Sequence, residues 1–147
     1  MNISFENVRN YYITSPSLIG LRFVVIPTTI GEDHYLLGSP VEGCNIADEI
    51  YEQLKTLPDQ PDKEIDIAEL IFMYADEESR TFASYDIHAD DAQIYITFSP
   101  EQPNLTILNP KTQEKTVYPI SIAEFKKAFI EYYESDGYKS AAAKLTV

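Results

Sequence analysis

The side chains best suited to chemistry by type and spacing lie close together at Asp86-Ile87-His88-Ala89-Asp90-Asp91. Asp86, His88, Asp90 and Asp91 offer carboxylate oxygens and one imidazole, a hard donor set that suits magnesium or manganese. The same residues also suit a charged strand end running into a solvated turn. That plainer reading is the expectation, with no metal and no cofactor. Cys44 stands just ahead of an expected helix N-terminus, where a thiol can become nucleophilic. A nucleophile also needs a base within hydrogen-bond reach, and the chain's two histidines, His34 and His88, are not tied to Cys44 by spacing. A small, partly buried thiol is expected there.

His88 and Asp90 match two positions of the His-x-His-x-Asp-His run of metallo-β-lactamase-like hydrolases. Asp86 and Asp91 stand where that run has histidines, and 147 residues are too few for that fold, so the chain is not placed in that family. Paired carboxylates carry little weight among 24 acids, because some close pair is unavoidable. The five glycines form neither G-x-G-x-x-G nor G-x-x-x-x-G-K-[ST], so no phosphate-cradling loop is expected. No catalytic residue is assigned, and the chain is expected not to be an enzyme.

Charge is more informative. Segment 42–101 holds sixteen acids and three bases, a net of −13, and the rest of the chain sums to zero. Such a segment repels phosphate and anionic lipid, which argues against direct nucleic-acid binding or a membrane surface and for a basic partner. The chain has eleven tyrosines, and Tyr74, Tyr85 and Tyr95 fall in the acidic part of the expected meander itself. Tyrosine offers a large rigid contact surface and a hydroxyl at modest entropic cost. The expected partner-binding residues are therefore Tyr74, Asp76, Glu77, Glu78, Tyr85, Asp86, Asp90, Asp91 and Tyr95. The lone cysteine and the absence of a basic leader or of a ~20-residue apolar run fit a soluble, cytoplasmic chain.

The elements that must position these residues follow from periodicity. Phe5, Val8 and Tyr12, spaced i, i+3, i+7, predict a short helix over residues 4–13, ended by Pro16. The apolar run from Leu18 to Ile26 predicts a buried strand, closed by Pro27 and a turn at Gly31-Glu32-Asp33, with His34 to Leu37 as its hairpin partner. Ile46, Ile50, Leu54 and Leu57 share one helical stripe, with Asn45 as N-cap. Short runs from Leu70 to Ala75, Thr81 to His88, Gln93 to Phe98, Leu105 to Leu108 and Thr116 to Ile120 predict a β-meander. Asp66-Ile-Ala-Glu69 also reads as a capping box that would start a helix. Ser121-Ile-Ala-Glu124 is a second box, opening a helix to Glu134, and beyond Gly137 one or two helical turns or a frayed tail over 138–147 are open.

The expectation is one α+β domain spanning 1–147, an antiparallel meander of five to seven strands with two main helices packed on one face. By composition and size, though not by motif, it looks like an immunity protein, an inhibitor that neutralises a basic bacterial toxin such as a nuclease. A structural or adaptor subunit is one alternative. A phage-type nucleic-acid mimic that blocks a restriction or CRISPR effector is another.

Overall fold

The run Phe23-Val-Val-Ile26 lies in the first half of strand β3 (Arg22–Ile30), and both of its faces are buried, as an apolar run without alternation requires. Val24, Ile26 and Ile30 join the main core, whereas Val25, equally inaccessible, points to the opposite face. The structure is a computed structural model that describes residues 2–12, 22–39, 43–74, 94–109 and 113–145. On one side β3 pairs with β4 (Asp33–Gly38) across a two-residue turn in which Gly31 takes φ 63°. Glycine enters that left-handed region without a Cβ clash. The sheet continues in chain order through β5 (Ile65–Tyr74), β6 (Ile94–Phe98), β7 (Asn104–Asn109) and β8 (Glu114–Ser121), each antiparallel to its neighbour. The fold is α+β, and its meander is wider than expected, with eight strands among the described residues.

The extra width comes from the N-terminus. In place of the expected helix over 4–13 are two strands, β1 (Ile3–Phe5) and β2 (Arg9–Tyr12), both paired to the free side of β3. Phe5 lies opposite Thr28 and Arg9 opposite Val25, so four steps on the edge face three on β3. One extra residue on the edge strand is a bulge, and it turns both Phe5 and Val8 toward the core. A bulged strand thus imitates the i, i+3 spacing of a helix. Pro27, expected to end its strand, sits inside β3 instead. Its carbonyl accepts from the Glu6 N–H, so its missing donor faces the broken stretch of ladder between β1 and β2, where the loss costs least. At Asp66-Ile-Ala-Glu69 the strand reading holds, because Ile65 and Ile67 are buried and Asp66 between them is exposed.

Helix α1 (Ile46–Leu54) begins at Asn45, whose side chain accepts from the Ala47 N–H at 2.9 Å, and it buries Ile46, Ala47, Ile50 and Leu54. Helix α2 (Ile122–Tyr133) opens with the expected capping box. Ser121 Oγ accepts from the Glu124 N–H at 3.2 Å, and Glu124 Oε1 accepts from the Ser121 N–H at 3.3 Å. The tail does not fray up to Leu145. Ser135 caps α3 (Asp136–Ala143), and Tyr138 and Leu145 are buried.

Phe125 of α2 shows how the layers meet. Its ring centroid is 6.1 Å from that of Phe5 in β1 and 6.0 Å from that of Phe98 in β6. Four strand steps separate β1 from β6, or ~19 Å on a flat sheet. The sheet must therefore curl around the helix, and further register shifts at Leu36/Leu37, Ile67/Glu69 and Asn104/Thr106 supply the bending. Phe98, Phe125 and Phe129 have no exposed surface, and each such ring contributes about 2–3 kcal/mol by leaving water.

Candidate functional site

The residues selected from sequence are only partly placed. Asp76, Glu77, Glu78, Tyr85, Asp86, Asp90 and Asp91 lie outside the described residues, as does His88. Tyr74 ends β5 opposite His34, and Tyr95 lies in β6 opposite Glu69, half-buried. Five residue steps along β5 separate Tyr74 from Glu69, the partner of Tyr95, roughly 16 Å of strand, so these two tyrosines are not brought together. Among the described residues no three acidic, histidine or cysteine side chains cluster as metal ligands. Cys44 is half-buried in the turn before α1, and His34 Nδ1 is 3.0 Å from Thr29 Oγ1.

Another aromatic and acidic face emerges on α1. Asp48, Tyr51, Glu52 and Lys55 follow one another at i, i+3, i+4 and i+7, on the side away from Ile46, Ile50 and Leu54. Tyr51 stacks on Tyr133 of α2 with centroids 4.3 Å apart, and Tyr133 in turn stacks on Tyr138 at 4.9 Å. The Tyr133 hydroxyl donates to Asp48 Oδ1 at 2.7 Å. That bond needs the phenol proton, so it raises the Tyr133 pKa, and partial burial adds to the effect. Lys55 Nζ sits 4.8 Å over the Tyr51 ring and 3.1 Å from Glu52 Oε1. Lys55 thus places a cation on an aromatic face beside a carboxylate.

Along the chain from Asp48 to Asp66 acids outnumber the two bases, Lys55 and Lys63. Asp48, Glu49, Glu52, Asp59, Asp62, Glu64 and Asp66 are all exposed. Glu52 and Asp59 pair with Lys55 and Lys126, the latter at 3.4 Å, and the other five have no ion pair among the described residues. Partial burial raises the Asp66 pKa, and the charge of Glu64 raises it further. Tyr51 and Tyr133 lie outside the meander, where the aromatic anchors were expected. The readable signal was the Asp48-x-x-Tyr51-Glu52 spacing on the polar side of a secure helix.

A second polar cluster is structural. Tyr118 of β8 donates to Asp33 Oδ2 at 2.6 Å, and its hydroxyl is 2.6 Å from that of Tyr35 in β4. Tyr118 has one proton and Asp33 only accepts, so Tyr35 donates to Tyr118. Burial is the main cause that raises both phenol pKa values, and the Asp33 bond raises that of Tyr118 further. Both hydroxyls therefore keep their protons at neutral pH, and their hydrogen bond joins β4 to β8 across the curled sheet. No family model matches the chain, and no curated protein or solved structure is significantly similar to it.

Proposed function

We propose that this protein is an acidic binding protein that neutralises a basic protein partner, most concretely an immunity protein for a bacterial toxin such as a nuclease. The observation that carries the reading is the run of seven exposed carboxylates from Asp48 to Asp66, three of them on the helix that brings Tyr51 to its stack with Tyr133. Carboxylates of one sign steer a basic partner inward and raise its association rate by about 10- to 1000-fold at low salt. The tyrosines supply contact area once water is expelled. A cationic side chain that reaches the stack displaces Lys55 from Tyr51 or sits beside it. Asp76, Glu77, Glu78, Tyr85, Asp86, Asp90 and Asp91 extend the same acidic stretch of chain, and in this reading they join the docking surface with Tyr74 and Tyr95. Bound carboxylates then cover the site at which the toxin holds nucleic-acid phosphate.

An adaptor subunit would instead be expected to expose apolar patches. Val117, 47% exposed, is the large apolar side chain most open to solvent among the described residues. The test is a quadruple variant, Asp48→Asn, Glu52→Gln, Asp62→Asn and Glu64→Gln, compared with the parent protein. Partner binding is measured across a salt series, alongside inhibition of the partner's nuclease activity. The reading expects weaker binding, a shallower salt dependence and lost inhibition in the variant. Unchanged affinity with unchanged salt dependence removes the electrostatic account.

A further inference from the structure

Resting on the acidic binding surface proposed above, we propose that Lys55 is an internal competitor on α1, and that an arginine of the basic protein partner displaces it from the Tyr51 ring. Tyr51 begins a series of three stacked rings whose far end is fixed in the core. Tyr133 lies 4.3 Å from Tyr51 with the ring planes 10° apart, and 4.9 Å from Tyr138 with the planes 28° apart. Tyr138 is buried and its hydroxyl accepts from Asn45 Nδ2 at 3.0 Å, while the Tyr133 hydroxyl donates to Asp48 Oδ1 at 2.7 Å. Both rings behind Tyr51 are thus held by stacking and by a hydroxyl bond. A platform fixed before binding has less side-chain freedom to lose when a partner arrives.

The cation now on that platform is loosely held. Lys55 Nζ sits 4.8 Å over the Tyr51 ring and 3.1 Å from Glu52 Oε1, but its side chain is 50% exposed and that of Glu52 69%. An ion pair so open to water contributes little, and an ammonium is strongly hydrated. A guanidinium fits the same place better, because it is planar, stacks on an aromatic face and bonds a carboxylate through two parallel N–H groups. Glu52 offers that carboxylate once Lys55 leaves it. Asp48 stands one turn back on the same helix face, with Oδ1 taken by Tyr133. A second cation placed beside Lys55 would meet its like charge at short range, so displacement is favoured over sharing the ring. Asp48, Glu49 and Glu52 are three exposed acids on this one helix, so a protein segment with several cations gains more here than a free arginine.

The test titrates the protein at low salt with acetyl-tetra-arginine amide and with acetyl-tetra-lysine amide, which carry equal charge, and reads the ring-proton shifts of Tyr51 and Tyr133 by NMR. Tetra-arginine is expected to bind about threefold more tightly than tetra-lysine. Lys55→Ala should tighten tetra-arginine binding by about two- to fivefold. Lys63→Ala removes an equal charge from an exposed residue of the same acidic stretch and should tighten it by less than about 1.5-fold. Tyr51→Leu should bring the two peptides to equal affinity. The competitor role is overturned if Lys55→Ala gains no more than Lys63→Ala, and the choice of arginine is overturned if tetra-lysine binds the parent protein as tightly. Either result, with binding that still weakens as salt is added, leaves the acidic binding surface standing. If neither peptide binds, that surface and the role of Lys55 fall together.

Discussion

The Tyr35 hydroxyl lies 2.6 Å from that of Tyr118, although four strand steps separate β4 from β8 in the sheet. Two side chains that would stand ~19 Å apart on a flat sheet therefore meet tip to tip across its concave face. Tyr118→Phe leaves the buried Tyr35 hydroxyl without its acceptor and should cost about 1–3 kcal/mol. Tyr35→Phe removes a donor from a hydroxyl still bound to Asp33 and should cost less. In a double-mutant cycle the paired loss should fall short of the sum by at least about 0.5 kcal/mol. Urea denaturation measures all four proteins, and strict additivity would mean that the contact carries no coupling.

Alkaline pH probes the same tyrosines together. Tyr35, Tyr118, Tyr132, Tyr133 and Tyr138 all have pKa values raised above 10, by burial chiefly except at Tyr133, where the bond to Asp48 comes first. A folded phenol that holds its proton more tightly than an unfolded one contributes stability that is complete below about pH 10 and is lost as pH rises past it. The urea midpoint should therefore drop steeply above about pH 10, with tyrosinate absorbance appearing as the chain unfolds. Tyr118→Phe should show a shallower drop, and equal slopes would show that Tyr118 is not among the groups responsible.

Phe125 holds the curl from inside. Phe125→Ala removes a ring in contact with Phe5, Phe98 and Phe129 and should destabilise by about 3–5 kcal/mol, whereas Phe125→Leu should lose less. Loss of the edge pairing should accompany the alanine change, visible as faster amide exchange in Ile3–Phe5. A loss below about 1 kcal/mol would mean that the sheet closes without this ring.

Asp66 is a point of electrostatic strain, from partial burial first and from the charge of Glu64 second. Its pKa is raised, so its ionised form is disfavoured in the fold, and the stability tied to its proton is complete below the unfolded value and lost as pH rises through the folded one. Asp66→Asn should therefore stabilise the protein at pH 7, by less than about 0.5 kcal/mol at so exposed a residue, and have no such effect at pH 3. Thermal melts at the two pH values make the comparison, and stabilisation at pH 3 alone would reverse the sign.

Sequence alone was enough for whatever depends on near neighbours. The caps Asn45 and Ser121, the stripes of α1 and α2, the both-faces-buried run of β3 and the alternation around Ile96 are each written within a dozen residues, where propensity and period act directly. The concentration of acids between residues 42 and 101 is likewise readable, because charge is a property of composition. What required the tertiary structure were the contacts between remote residues. An extra residue in the first strand converted a helical spacing into an edge, because Thr28 and Val25 of β3 fixed where the side chains of Phe5 and Arg9 fell. Tyr51 met Tyr133 and Tyr35 met Tyr118 only because the sheet curls around α2 and returns the C-terminal helix to the N-terminal strand, where Gly137 comes beside Asn7. Local pattern sets which face of an element is apolar, and burial of all those faces at once sets which distant side chains become neighbours.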